Sequence, residues 1–442
     1  MNIFRLSYSY LKKTPLNTGL NILLLALGIA TITSLLLFNH QFRNNLFNNA
    51  EGIDLVVGAK GSPIQLILSS IYHIDTPTGN ISLEEVQGII NHPMVAQAIP
   101  LALGDNYQGY RIVGTEQSYL AVYNANIVEG GLWKYSKEVV AGAKVANKLQ
   151  LSVGDSIISS HGVIQDGPAH EDEPMIIVGI LDESDSVLDQ LLLTSVETVW
   201  DVHEQDEEHD EDHEHDEEHH DEGHEHGEGH EEHHNEDHEH GGDRIEVSTE
   251  PFGFITADNL EKELTSLLIT YNSPLAGAMF PRFVNSQTDM QAAAPGFEIA
   301  RLLSLLGIGF DVLRIFGFIL ILAAALGVFI ALYNAMKERK YDLAIMRTLG
   351  GSKIILMTQI LLEGVLLVLS GSLLGILFAH LGIAFLSSTY QQAEQFNIYA
   401  WVFLQEEILI LVGAILLGIL SALIPAIIAY KTPISTTLSK ES

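Results

Sequence analysis

The chain contains no cysteine. Disulfides and thiolate metal sites are therefore excluded, although that absence does not fix a compartment. Basic residues are scarce: 22 Lys and Arg stand against 56 Asp and Glu, for a net charge of −34. No basic face is left for a phosphate backbone, and nucleic acid is not expected as a partner. Much of the imbalance is local, because 21 of the acidic residues and no Lys or Arg lie between Asp201 and His240. A phosphate-binding G-x-x-x-x-G-K-S/T loop is also missing. Its nearest approach, Gly58-Ala59-Lys60-Gly61-Ser62-Pro63 after strand-like Ile53–Val57, has the wrong spacing. No site for ATP hydrolysis is therefore legible in this chain. No Ser/His/Asp or paired-carboxylate arrangement is legible, so no catalytic centre is expected.

What the chain does have is long apolar runs. Hydrophobic residues make up 47% of its 442 positions. Leu20–Phe38, Ile315–Tyr333, part of Ile354–Phe385, and Ile408–Tyr430 each have the length and apolarity of a bilayer crossing. The first has no small-x-small cleavage site after it and reads as an uncleaved span. Lys12 and Lys13, five Lys and Arg between Lys337 and Lys353, and Lys431 and Lys440 mark the inner side, whereas Leu386–Glu407 has none. The expected order is an amphipathic interfacial helix at 1–15, spans at 16–41, 311–336, 354–386 and 408–430, an outer domain with its stalks at 42–310, an inner segment at 337–353, an outer loop at 387–407 and an inner tail at 431–442.

The outer domain reads as α+β. Arg111–Gly114, Glu138–Gly142 and Met175–Leu181 are strand-like, and helices are expected within Ala141–Leu151 and over Asn259–Tyr271. Asp311 and Arg314 pair at i,i+3 on the returning stalk. Val202–Gly242 holds thirteen of the chain's 19 histidines among carboxylates, with almost nothing apolar. Such composition cannot bury enough surface to hold a fold, and disorder is expected. His209, His213, His215, His219, His220, His224, His226, His230, His233, His234, His238 and His240 are candidate ligands for Zn(II), and less selectively for Cu(II) or Ni(II). Many equivalent choices without packing predict several weak sites. His161 and His170, with Glu171, Asp172 and Glu173 nearby, are candidates for an ordered metal site, though their spacing matches no compact ligand motif.

The membrane part is organised around Met336–Gly364, MKERKYDLAIMRTLGGSKIILMTQILLEG. Tyr341–Leu349 is a short amphipathic segment, with Leu343, Ile345, Met346 and Leu349 apolar among Asp342 and Arg347, and Gly350-Gly351 stops it. Glu363 lies about two turns into the third span. An ionisable group there is costly and functional by default, and Arg339 or Arg347 is its expected partner. Gly371-x-x-x-Gly375 allows another helix to approach closely. His380 reads as a satisfied interfacial histidine.

The stretch ERKYDLAIMRTLGGSKIILMTQILLEG resembles the cytoplasmic loop and following helix of the FtsX/MacB family of ABC-transporter permeases. Glu338, Arg339, Ala344, Arg347, Leu349, Gly350, Gly351, Ser352 and Glu363 carry the likeness. Gly142–Asp155 is similar to a pattern of the family's outer domain, and the ending SALIPAIIAYKTPISTTL to its last span and tail. The resemblance implies an α-helical membrane protein with four transmembrane helices plus an α+β extracytoplasmic (MacB-like periplasmic) domain. It also implies a bacterial inner membrane location, a second permease copy and a cytoplasmic ABC ATPase dimer that binds ATP and meets the coupling helix, where Glu338, Arg339, Leu343, Ala344, Met346, Arg347, Leu349 and Gly350 are the candidate contacts. ATP-driven motion would reach the outer domain and a periplasmic protein or lipoprotein there. Two other readings stay open: a metal-handling transporter that collects zinc, and a membrane scaffold that regulates an extracytoplasmic hydrolase.

Overall fold

The four apolar runs fold as four long helices, Pro15–Asn49, Pro295–Glu338, Lys353–Thr389 and Gln405–Lys431, called here spans one to four. In this computed structural model the described residues are 15–162, 173–203, 245–257, 259–339, 345–348, 350–389 and 397–431, together with Ser7, Ser9 and Lys12. They divide into a membrane unit, Met1–Asn45 with Leu303–Ser442, and an outer unit, Leu46–Leu302.

In the membrane unit, Leu25 and Ile29 of span one meet Ala324, Val328 and Leu332 of span two, Leu367 and Val368 of span three, and Ala414 and Ala422 of span four in one buried cluster. Lipid tails are as apolar as these side chains, so close contact and not water exclusion must hold the helices together. Glycines supply that contact. A Cβ on Gly371 or Gly375 would press on span one at Leu25 or at Ala26 and Ile29, and one on Gly364 would press on Ala422 and Gly418 of span four. The expected partner of the Gly371–Gly375 pair is thus span one of the same chain. Leu322, Leu326, Leu416 and Leu420 remain exposed, as on a helix surrounded by hydrocarbon. The loop before span four is held by main-chain contacts. The Gln41 amide of span one donates to Tyr399 O at 3.0 Å and accepts from Tyr399 N at 2.7 Å, and Asn45 Nδ2 donates to Asn397 O at 3.4 Å.

The outer unit carries an eleven-stranded sheet. Its main path runs through β13 (Met290–Ala293), β1 (Leu55–Ala59), β12 (Ser266–Tyr271), β3 (Val95–Tyr107), β4 (Tyr110–Thr115), β10 (Leu192–Thr194), β6 (Glu138–Ala141), β9 (Met175–Leu181) and β5 (Ile127–Gly130). Two short strands branch from it: β7 (Ser156–Ile157) beside β9, and β8 (Ser160–His161) beside β3. β2 (Ile81–Ser82) and β11 (Glu263–Leu264) form a separate pair. One core gathers Leu55, Val57, Leu267, Ile269, Phe280 and Trp200, and a second gathers Ile112, Val139, Val145, Ile177 and Val202.

The helix expected over Asn259–Tyr271 is not formed, and its second half is β12. Ser266–Ile269 are all buried, so both faces of β12 are covered, and β1 and β3 pair with its two edges. A strand covered on both faces shows a continuous apolar run, which helical and strand periods do not separate. The helix within Ala141–Leu151 is found at Ala143–Leu149. Most of the interfacial segment 1–15 lies outside the described residues.

A buried histidine should make this unit acid-sensitive. His73 is 5% exposed, with Nε2 3.1 Å from the Tyr119 hydroxyl. Burial, and then the nearby Arg111 guanidinium, push its imidazole down to about 3. The unfolded chain takes up that proton near pH ~6.5. Between these values the unfolded state holds more protons, so the stability is fully present above the unfolded value and is lost as pH falls. We expect a loss of up to about 1.4 kcal/mol per pH unit. Unfolding midpoints between pH 7 and 4.5 should fall less steeply in His73→Gln than in the parent, and equal slopes would refute the assignment.

Candidate functional site

At the inner end of the membrane unit, span two runs on through Lys337 and Glu338, so these residues continue a spanning helix and do not open a separate one. Arg339 follows, its amide still bonded to Ala335 O at 3.1 Å. Its guanidinium donates to Glu363 at 3.0 Å to Oε1 and 3.4 Å to Oε2. Glu363 is buried, at 4% exposure, and Arg339 is nearly so, at 11%. Of the two expected partners, Glu363 therefore meets Arg339. Two charges withdrawn from water persist only as such a pair.

Of the coupling segment, Ile345–Thr348 is described and is helical, whereas Leu343, Ala344 and Leu349 lie outside the described residues. Gly350 has φ +97°, and its amide and that of Gly351 bond back to Arg347 O and Met346 O. This is a helix stop that needs a residue without Cβ strain. Ser352 Oγ then accepts from Ile355 N and caps span three. Met346 packs against Met336, Leu356, Ile360, Ala426 and Ala429, while Ile345 is exposed. The apolar side of the segment thus faces two ways, with Met346 inward and Ile345 outward.

At the outer end of span three, buried His380 contacts Ala400 O through Nδ1 at 2.5 Å and Glu407 Oε2 through Nε2 at 3.3 Å. It is satisfied, as expected. Asp311 and Arg314 are 3.3 Å apart and both solvent-exposed, a pair worth little.

In the outer unit the sheet register builds a second constellation. β3 pairs with β4 except at a bulge between Leu103 and Asn106, and there Asp105 lies opposite His161 of β8. Bulges re-aim side chains in this way. Residues 196–203 form a helix that Ser195 caps by accepting from Thr198 N at 3.2 Å. Val199 and Trp200 enter one core and Val202 the other, and this places His203 over Gly104. Asp105 Oδ1 is 3.5 Å from His161 Nδ1 and 3.5 Å from His203 Nε2.

Residues 314–434 match the FtsX-like permease C-terminal family, and residues 18–215 match the MacB-like periplasmic core domain. Together they take in nearly all of span one, the inner part of span two, spans three and four, and most of the outer sheet. The chain belongs to the FtsX/MacB-like permease family. It is similar to the periplasmic region of MacB from Actinobacillus actinomycetemcomitans, with 12% identity over 59% of this chain and 97% of that one and a TM-score of 0.31. It is also similar to the extracellular domain of the noncanonic ABC-type transporter YknZ from Gram-positive bacteria, with 12% identity over 54% of this chain and 98% of that one and a TM-score of 0.27. No curated protein matches it. As a permease of this family the chain is a non-catalytic, multi-pass membrane subunit with a large mixed α/β extracytoplasmic domain.

In this permease His161 does belong to a His/Asp cluster capable of coordinating a metal ion, with Asp105 and His203 as its companions. His170 and the twelve histidines from His209 to His240 lie outside the described residues. Val202 and His203 are expected to begin a disordered run, but both are helical, and Val202 is fully buried. The apolar spacing Val196, Val199, Trp200, Val202 carried that signal. Nothing in the sequence pointed to Asp105, which lies 56 residues from His161 in the chain. A second acidic group, Glu183, Asp185 and Asp189, has no imidazole, and Asp189 takes hydrogen bonds from Ser184.

Proposed function

We propose that this permease transmits ATP-driven motion from a separate cytoplasmic ABC ATPase to its extracytoplasmic domain, in a bacterial inner membrane and as one of two permease copies. One observation carries the reading. Span two is an unbroken helix of 44 residues, about 66 Å at 1.5 Å per residue, against a hydrocarbon core of about 30 Å. It begins directly after β13 of the outer sheet and ends at the buried Arg339–Glu363 pair beside the coupling segment. A stiff rod fixed at its inner end suits the passage of motion better than the lining of a pore. Family membership supports an ATPase partner on the inner side and a periplasmic protein on the outer side.

Exposed Ile345 is the residue through which to test the contact, since Met346 also serves the internal packing. We expect vanadate-sensitive ATP hydrolysis to co-purify with the tagged permease and to fall at least tenfold in Ile345→Asp at unchanged membrane level. Undiminished hydrolysis in the variant would refute the contact at this residue. Absence of any hydrolysis with the parent would favour the regulatory scaffold.

A further inference from the structure

We propose that Asp105, His161 and His203 form a binding site for a single divalent transition-metal cation, zinc(II) foremost, on the extracytoplasmic domain. The inference does not depend on the ATPase partner. Each residue offers one ligand atom, and the three atoms lie within 4.8 Å of one another. Ligands set tetrahedrally about 2.0–2.1 Å from zinc stand roughly 3.3–3.4 Å apart. The two Asp105–imidazole separations of 3.5 Å nearly match that edge. They are longer than the usual N–H···O range of about 2.7–3.2 Å. The rings of His161 and His203 have centroids 4.8 Å apart.

The donor set selects the ion. Two imidazoles and one carboxylate are typical of borderline divalent metals, while magnesium and calcium demand oxygen. Three protein ligands also leave a coordination position open. His203 also lines a cleft of about 440 Å³ that Trp200, Lys262 and Glu263 border.

The site is positioned by its surroundings. Asp105 is 2% exposed and set by the β3–β8 register, with Gly162 N bonded to Gly104 O at 2.9 Å beside it. His203 is the next residue after buried Val202. Gly104 leaves the space its ring occupies, since a Cβ there would stand 3.0 Å from His203 Nε2. Ligands already held by strands and a helix avoid an ordering cost of roughly 1–2 kcal/mol per residue on binding.

The test uses the full-length permease in nanodiscs and a variant lacking residues 205–242, which removes those histidines and keeps Val202 and His203. Equilibrium dialysis should show one Zn²⁺ per chain retained by the deletion variant, and Co²⁺ in its place should give the intense visible band of a tetrahedral site. In that background, His161→Gln, His203→Gln and Asp105→Asn should each weaken Zn²⁺ binding at least about 100-fold, since even outer-shell partners of a metal are worth 10–100-fold. Gly104→Ala keeps every ligand but crowds His203, and it should weaken binding while unfolding remains cooperative. The proposal is overturned if the deletion variant binds no Zn²⁺, if the ligand variants bind it as the parent does, or if Mg²⁺ competes at equal concentration.

Discussion

Replacing Arg339 by alanine should destabilise the membrane unit by about 3–5 kcal/mol, the usual result of leaving a buried charge without its partner. The charge left behind is Glu363, which is 3% exposed and surrounded by span helices. Glu363→Ala should cost a similar amount by stranding the guanidinium. The double change Arg339→Leu with Glu363→Leu should recover most of the loss, because apolar residues of similar volume often replace a buried ion pair at no cost in stability. Unfolding in detergent, followed by thermal melting, measures all three. If Arg339→Ala melts with the parent, the pair does not hold the inner end of span two. The double variant separates two roles. It should keep the fold, and if the pair also transmits motion it should lose the co-purifying ATP hydrolysis.

A comparable loss is expected from one methyl group at Gly375. Its Cβ would stand 2.7 Å from Ala26 O and 2.8 Å from Ile29 Cβ. Neither atom can rotate aside, since one is main chain and the other is fixed to it. Spans one and three must then separate, and contact is what holds helices together in lipid. Gly375→Ala should cost at least the roughly 1–3 kcal/mol of an overpacked core, and Gly375→Leu should abolish assembly of the membrane unit. Gly382 is on the same helix with nothing within 4 Å of the corresponding position. Gly382→Ala should be neutral or stabilise by up to about 1 kcal/mol through helix propensity. Equal melting of the two alanine variants would show that glycine packing is not what joins these spans.

Sequence and structure agree where one physical signal dominates. Long apolar runs and the placement of Lys and Arg mark the spans, because hydrocarbon tolerates no other backbone solution than a helix or a closed barrel. The Glu363 pairing was half legible: a carboxylate in a span demands a cation, but Arg339 and Arg347 were equally eligible until helix phase placed one beside it. The outer unit was harder. β12 is covered on both faces and hides its period. The His/Asp cluster depends on a bulge in β3 that turns Asp105 toward β8, and on a helical His203 that merges by composition with the run after it. Register and bulges are properties of two strands together, and neither strand's residues alone reveal them.

The Gln41 side chain grips the main chain of residue 399 with both halves of its amide. A contact of that kind takes no account of which side chain the gripped residue carries. Over evolutionary time the two positions should therefore drift unequally. The grip itself asks of position 399 only a backbone N–H and a carbonyl. Position 41 is held to an amide, because glutamate there would offer no donor to the carbonyl and would set a negative charge against it.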